Sequence, residues 1–496
     1  MLPRLSVRGN QIVNASGEPV RLRGVCIGGW MNMENFINGY PGAEHGARAA
    51  MADVLGKAKA EFFFDRMLDH FLTEEDLMFV RGCGATVVRL PINYRHFESD
   101  AEPFRYNEKG FARLSKAIDW CEKVGLYAIL DLHAVQGWQN PDWHSDNGIR
   151  RALFWKHAQF QDRFVALWEE IARRFKDRRV IAGYNVMNEP VTGSSFGRFS
   201  HNYQADWETL NRVYRRVAKA IRTIDPDPIL FLEGDCFSVF FDGLDAPFDR
   251  DLAYSSHNYN AAGFGPGVYP GNFQGEFWDR EKQLKAFLAH QGTEYAKKND
   301  VPLWVGEFGS VYNGPPEERG SRLQAVDDQL SIFESHGIHW TMWTFKDVGV
   351  MGWMSLDPEC DYLQRIAYVR KAKQELATDF WMHWMPNTHS RDLVNQLADE
   401  VERVVGPEEL DGPGNRLFMT QATLDIYVGA LIQPLYAKRF AGLSEAELDR
   451  VLESFSFRRC RPREDLLTIV KRHLTGGKPS ETGGSKWGTH APAYSL

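Results

Sequence analysis

Eight short apolar runs recur between Leu22 and Phe345, and the segments separating them change from a two-residue to a roughly 3.6-residue period. The alternation is that of a parallel sheet covered by helices, and it suits a closed (β/α)8 TIM barrel of the α/β class. The runs predict strands near Leu22–Gly28, Thr86–Ile92, Tyr127–His133, Ile181–Asn188, Ile229–Glu233, Leu252–Tyr259, Leu303–Glu307 and Trp340–Phe345. Between them Phe111, Leu114, Ile118 and Cys121 fall on one helical face. So do Leu210, Val213, Val217, Ile221 and Ile224, and so do Leu323, Val326, Leu330 and Phe333. These stripes read as barrel packing rather than as a cofactor site.

Other segments extend the plain barrel. Residues 4 to 22 read as a short N-terminal β-hairpin, with turn signals at Gly9-Asn10 and Ser16-Gly17. A long insertion after strand 1, roughly Trp30 to Thr73, is expected to wall or roof a cleft, because βα loops rise over the C-terminal rim of a barrel. Beyond about residue 380 the alternation stops. There Leu393, Leu397, Val401 and Val404 make a helical stripe, and Ser444 with Glu447 forms a capping-box pattern ahead of Leu448, Val451 and Leu452. The expected organisation is a barrel domain over residues 1–380, a helical C-terminal extension docked on it over 381–475, and a disordered Gly/Ser/Thr/Pro-rich tail over 476–496.

A net charge of -8 without any basic run argues against nucleic acid or an anionic membrane as partner. No apolar run reaches the length of a membrane span. Met1 to Asn10 lacks the apolar core of an export signal, so a cytoplasmic location is expected. Cys26, Cys83, Cys121, Cys236, Cys360 and Cys460 are scattered, with no Cys-x-x-Cys pair, and read as buried thiols rather than a disulfide frame. The sequence carries no indication of oligomeric state.

Two of the strands end alike. The run through Gly183-Tyr184-Asn185-Val186-Met187 delivers Asn188 and Glu189 before Pro190 stops it, and Leu303-Trp304-Val305-Gly306 delivers Glu307 before Phe308-Gly309. The interval between the two glutamates accommodates three slightly enlarged β/α units, which places them at the mouths of strands 4 and 7. A pair of carboxyl groups across one rim is the minimum equipment for cleaving a glycosidic bond. Further polar residues stand at strand ends where a bland core wants apolar ones: Arg89, His133, His257 with Tyr259, and Trp343.

The ordered set Arg89, His133, Asn188-Glu189-Pro190, His257, Tyr259, Glu307 and Trp343 closely resembles glycoside hydrolase family 5, over roughly residues 4 to 378. The resemblance implies Glu189 as general acid/base, with a pKa expected to be raised by burial and by the second carboxylate, and Glu307 as nucleophile. It implies Arg89 and Tyr259 holding Glu307, His257 near Glu189, Asn188 on the sugar 2-hydroxyl, His133 on other hydroxyls, and Trp343 as the floor of the -1 subsite. The loop from Gln136 to Asn147 loosely resembles that of exo-acting β-glucanases, which makes Trp138, Asn140 and Trp143 candidate sugar contacts. Lys346-Asp347 and Trp353 depart from the commonest family pattern.

The reading that follows is a retaining β-glycosidase acting on an oligosaccharide or small glycoside, without metal or other cofactor. β-Glucosides and short β-glucans come first, and β-mannosides or glycolipids behind. Two alternatives stand beside it. One is a metal-dependent hydrolase using Asp131, His133, His144 and His257, against which strand 1 ends Ile27-Gly28-Gly29-Trp30 with no His-x-His. The other is a barrel that binds saccharide without turnover, against which both glutamates are present.

Overall fold

The structure is a computed structural model and describes residues 2–194, 203–378, 388–406, 410 and 414–476. Eight parallel strands close into a barrel: β1 (Arg23–Cys26), β2 (Val87–Asn93), β3 (Tyr127–Ala134), β4 (Ile181–Asn185), β5 (Ile229–Glu233), β6 (Leu252–His257), β7 (Leu303–Glu307) and β8 (His339–Met342). Each pairs with the next, and β8 returns to β1 through Trp340–Arg23, Thr341–Gly24 and Met342–Val25. All eight runs read from the sequence are strands, displaced at their ends by up to three residues. The regular part of β4 stops at Asn185, yet the N–H groups of Val186 and Asn188 still donate to Phe231 (3.1 Å) and Leu132 (3.2 Å). Its ladder therefore guides the chain to the rim before Glu189, at φ +47°, turns it away.

The helical faces pack where the period places them. Phe111, Leu114, Ile118 and Cys121 are buried on Glu108–Val124, and Leu210, Val213, Val217 and Ile221 on Trp207–Ile224. The N-terminal hairpin, Leu5–Arg8 against Gln11–Asn14, sends Leu5 and Ile12 into a core shared with Val87, Tyr127, Ile129, Ile229 and Trp304. It closes the end of the barrel opposite the glutamates.

The insertion after β1 is helical, with Asn35–Asn38, Glu44–Leu55 and Lys57–Phe71. The C-terminal region is helical too and is interlocked with it. Tyr362 donates to the carbonyl of Asn38 (2.6 Å), and its hydroxyl meets that of Tyr436 at 2.8 Å. The Gln433 amide donates to the carbonyls of Pro41 (2.9 Å) and Ala43 (3.0 Å). A Cβ on Gly42, which sits at φ +71°, would come within 2.7 Å of Gln433 Nε2, so this approach depends on glycine twice over. Cys460–Pro462 adds a strand antiparallel to Met354–Leu356, just beyond β8.

Of the stripe Leu393, Leu397, Val401 and Val404 on His389–Val405, Val401 is half-buried and the other three are exposed, at 52%, 54% and 67%; Val394 and Ala398 face inward. A helical period identifies a face but not which of two adjacent apolar faces is covered. The Ser444–Glu447 capping box is present, with the Ser444 N–H donating to Glu447 at 2.8 Å. All six cysteines are free. The boundary near residue 380 and the tail beyond Gly476 lie outside the described residues.

Lys346, which departs from the family pattern, is wholly buried and joins three parts of the chain. Its Nζ donates to Asp76 Oδ1 (2.7 Å), to the carbonyl of Phe71 (2.8 Å) and to that of Phe455 (2.9 Å). Removing one partner of a buried ion pair leaves an uncompensated charge and costs about 3–5 kcal/mol. Lys346→Met is therefore expected to lower unfolding free energy by about that much in urea titration, with part recovered in Lys346→Met/Asp76→Asn. A loss within ~0.5 kcal/mol would show that the tie contributes nothing net.

Candidate active site

The C-terminal ends of β2 to β8 deliver the polar residues of the site. Gly306 makes the closest approach possible: a Cβ there would lie 2.5 Å from Ser255 Oγ and 3.2 Å from His257 Nε2. At the centre is Arg89, fully buried on β2. One guanidinium nitrogen donates to Glu307 Oε1. The other terminal nitrogen donates to Asn188 (2.7 Å) and Asn185 (2.9 Å), and stands 3.1 Å from Asp131 and 3.4 Å from Glu233. Tyr259 donates to the second Glu307 oxygen at 2.9 Å. The nucleophile candidate is thus gripped at both oxygens by donors, which fixes its orientation.

Glu189 is held differently. Its N–H donates to Glu233 Oε2 (2.8 Å), which supports the positive φ. Its Oε1 lies 2.6 Å from His257 Nδ1, and its Oε2 lies 2.9 Å from His144 Nε2. The closest carboxyl oxygens of Glu189 and Glu307 and a ring nitrogen of His257 all fall within 4.8 Å of one another. Burial pushes the Glu189 carboxyl up. The charge on His257 and the interactions with His144 and His257 push it down and prevail. This is opposite to the shift expected from the sequence. The sequence did not place two imidazoles on Glu189, and their influence outweighs burial. Burial lowers the pKa of His257, but Glu233, Glu307 and Glu189 around it raise it well above the usual imidazole value.

His133 Nδ1 meets Asp131 Oδ2 at 2.7 Å, and its ring stacks on Trp343 with centroids 5.3 Å apart and planes 12° from parallel. Glu34, from the insertion, reaches within 3.4 Å of His133 Nε2, and burial raises its pKa. Glu34, Phe36, His133, His144, Glu189, Tyr259, Glu307, Trp343 and Met351 line a narrow pocket. Met351 is positioned by a loop whose N–H groups at Gly349, Val350 and Gly352 converge on Asp347, at 2.8, 3.0 and 2.9 Å.

The structure brings together Arg89, His133, Asn188, Glu189, His257, Tyr259, Glu307 and Trp343. It does not bring the three loop candidates to the pocket wall. Trp138, at φ +62°, donates its indole N–H to the Asp146 carbonyl (2.7 Å) and faces a separate cavity with Tyr94, Phe104 and Phe160. Trp143 is buried against Phe36. Asn140 is buried behind His144 and donates to the Glu189 carbonyl at 3.0 Å. Glu34 and Glu233 escaped the sequence reading. Glu233 ends β5 as Glu307 ends β7, so a strand-end glutamate alone does not tell a reactive carboxyl from a supporting one.

The four residues of the metal reading do not converge. Asp131 is taken by Arg89 and His133, while His144 and His257 flank Glu189. Among the described residues one trio, Glu189, His257 and Glu307, has metal-ligand spacing. The Arg89 guanidinium already seated on Glu307 places a permanent positive charge against it, which disfavours a cation there.

A closed (β/α)8 barrel with two carboxyl groups facing each other across its C-terminal rim defines a glycoside hydrolase architecture. The chain belongs to glycosyl hydrolase family 5, whose Cellulase model matches residues 59–349. It is 37% identical over 480 residues to a beta-xylosidase of Phanerodontia chrysosporium, covering 94% of this chain and 97% of that protein. It is 25% identical over 385 residues to a probable glucan 1,3-beta-glucosidase A of Aspergillus clavatus, covering 71% of this chain and 88% of that one. An endogalactoceramidase crystal structure shares the fold, with a TM-score of 0.50 at 20% identity over 69% of this chain and 75% of that one.

Two tryptophans separate pocket from periphery. Trp343→Ala should lower kcat/KM on aryl β-glycosides by about 30-fold, roughly 2 kcal/mol of transition-state binding. Trp138→Ala should stay within about 3-fold, a difference below ~0.7 kcal/mol. Equal losses would place Trp138 on the substrate path.

Proposed function

We propose that the protein is a retaining, exo-acting β-glycosidase that removes single pyranosyl units from short β-glycosides, β-glucosides and β-xylosides foremost. The observation that carries the reading is the approach of Glu189 and Glu307 oxygens to within 4.8 Å. Inverting enzymes keep their carboxyl groups about 6.5–9.5 Å apart to admit a water between them, whereas about 5–5.5 Å suits direct attack by a carboxylate.

Glu307 attacks the anomeric carbon while the glycosidic C–O bond breaks and Glu189 gives its proton to the departing oxygen. Glu189 then takes a proton from water, whose oxygen attacks the same carbon and releases Glu307. Arg89 and Tyr259 aim the nucleophile. Asn188, with its amide oxygen held by Arg89 and its amide nitrogen 3.3 Å from His133 Nε2, has one amide hydrogen left for the sugar 2-hydroxyl. The stacked His133–Trp343 pair forms one wall for the ring.

Exo-action is supported by the wall that the insertion after β1 adds to the pocket around Glu189 and Glu307. Glu34 and Phe36 close one side of it. The beta-xylosidase relative matches 94% of the chain, and that supports placing β-xylosides beside β-glucosides.

The test combines product stereochemistry with azide rescue. The first product from a β-substrate should be the β-anomer by NMR. Glu307→Ala should lose at least about 10³-fold in kcat and form an α-glycosyl azide, while Glu189→Ala should form a β-glycosyl azide. An α-anomer as first product, or a Glu307→Ala variant near wild-type rate, would overturn the reading. Screening aryl β-glucosides, β-xylosides and β-mannosides, with product sizing on a soluble β-glucan, tests the substrate assignment; mostly mid-length oligomers would contradict exo-action.

A further inference from the structure

Phe104 and Trp138 carry left-handed backbones, at φ +64° and +62°, in two different loops, and both side chains line one cavity. For a bulky residue that conformation is an outlier; it persists only where the surroundings over-determine it, and such residues gather at ligand sites. The determining contacts are present. The Phe104 N–H donates to Glu98 Oε1 at 2.6 Å, and that buried carboxylate is fixed in turn by Gln136 Nε2 (2.8 Å) and Arg163 Nε (2.9 Å). Trp138 is tied through its indole N–H to the Asp146 carbonyl. Phe104 nevertheless keeps 54% of its surface exposed, so burial of its ring does not repay the strain.

The cavity measures about 370 Å³, within the usual range of roughly 300–1,000 Å³ for ligand sites. It lies between the loops that follow β2 and β3, and it shares no lining residue with the pocket around Glu189 and Glu307. Phe160 adds a third ring, seated so closely on Gly137 that a Cβ there would come within 2.3 Å of it. Planar polar side chains complete the lining. Arg95 is held by Asp146 (2.9 Å) and Asp100 (2.7 Å), and Arg163 by Glu98 and by Asp100 (3.0 Å). Gln159 lies exposed in the first turn of Ala158–Phe175.

These groups restrict what the cavity can take. Both guanidinium groups are already seated on carboxylates, so no uncompensated positive charge is offered to a phosphate or carboxylate ligand. A wholly apolar ligand would strip water from Arg95, Asp100 and Gln159 without replacing its hydrogen bonds. A neutral pyranose meets both demands: the C–H groups on its face suit the aromatic rings, and its hydroxyls can pair with guanidinium, carboxylate and amide.

We propose that this cavity is a second saccharide-binding site, in which Phe104, Trp138 and Phe160 take the apolar face of one neutral glycosyl unit and Arg95, Asp100 and Gln159 its hydroxyls. An oligosaccharide or glycan-bearing substrate is thereby retained on the protein outside the catalytic pocket. The cavity stands apart from the catalytic pair, so its ligand can be measured whether or not Glu307 forms a glycosyl-enzyme.

The test uses Glu307→Gln protein labelled with 15N tryptophan, in which the Trp343 indole signal reports the catalytic pocket and the Trp138 signal the cavity. Loss of one signal in Trp138→Phe identifies the latter. Xylotriose or cellotriose should shift the Trp138 signal along a saturable curve in the millimolar range, with a midpoint different from that of Trp343. Phe104→Gly removes the ring and relieves the left-handed backbone. It should weaken the Trp138 curve by about 10-fold, leave the Trp343 midpoint in place, and keep or raise the thermal unfolding temperature. A Trp138 signal that stays still, or that moves only in step with Trp343 and ignores Phe104→Gly, would overturn the proposal. So would a stronger response to inorganic phosphate or to hexanol than to the trisaccharides. A Phe104→Gly variant that loses stability but keeps the Trp138 curve would show that the ring serves packing, and would overturn it equally.

Discussion

Arg89 is a permanent cation with no access to water, and the arrangement of the rim follows from keeping it paired. An isolated buried charge would cost several kcal/mol, so carboxylates must surround it. Asp131, Glu233 and Glu307 do so from β3, β5 and β7, and Asn185 and Asn188 fill the remaining donor directions from β4. Four strands are thereby registered against one side chain. The ring of Trp304 lies beneath the guanidinium, 5.4 Å from centre to centre. Glu307 gains a fixed orientation as a by-product of satisfying Arg89, and that orientation is what a nucleophile needs.

The two carboxyl groups diverge in character because their surroundings do. Glu307 has a guanidinium and a phenol, both donors only toward it. Glu189 has two imidazoles, which can give or take a proton. Glu233 links the halves, accepting the Glu189 N–H with one oxygen and facing Arg89 and His257 with the other. Around them the insertion after β1 brings Glu34 and Phe36 over the pocket, and the C-terminal helices hold the insertion through Gln433, Tyr362 and Tyr436. Lys373 adds contacts of 2.8 Å to the carbonyls of Asn35 and Tyr40 on either side of the first inserted helix. The C-terminal region therefore acts on the pocket indirectly, by fixing the backbone that carries its wall.

Much of this was legible in the chain. The alternation of periods located all eight strands, because barrel strands buried on both faces leave near-continuous apolar runs. Polar residues at the ends of those runs stood out for the same reason, which is how Arg89, His133, His257 and Glu307 were found. Glu34 was not legible, since nothing in Met31-Asn32-Met33-Glu34 says that an inserted loop will fold inward over the rim. Trp138 stands apart from the pocket: its indole lines a separate cavity with Tyr94, Phe104 and Phe160, a placement that its position in a rim loop does not reveal. His144 was noticed only as a possible ligand. Its proximity to Glu189 depends on the path of the loop after β3, which Asn140 and Asn147 secure through bonds no local pattern records. The exposed stripe at Leu393 and Leu397 marks a similar limit, where period was right and facing was wrong.

The account stands or falls on Glu307 bonding to the sugar. A 2-deoxy-2-fluoro β-glycoside with a dinitrophenolate leaving group slows release of a glycosyl-enzyme more than its formation, so the adduct can be digested and mapped by mass spectrometry. The account predicts one fluorosugar per chain, attached to the peptide containing Glu307 and absent in Glu307→Gln. Inactivation with the label on another residue, or steady turnover of unmodified substrates with no trappable adduct, would contradict it.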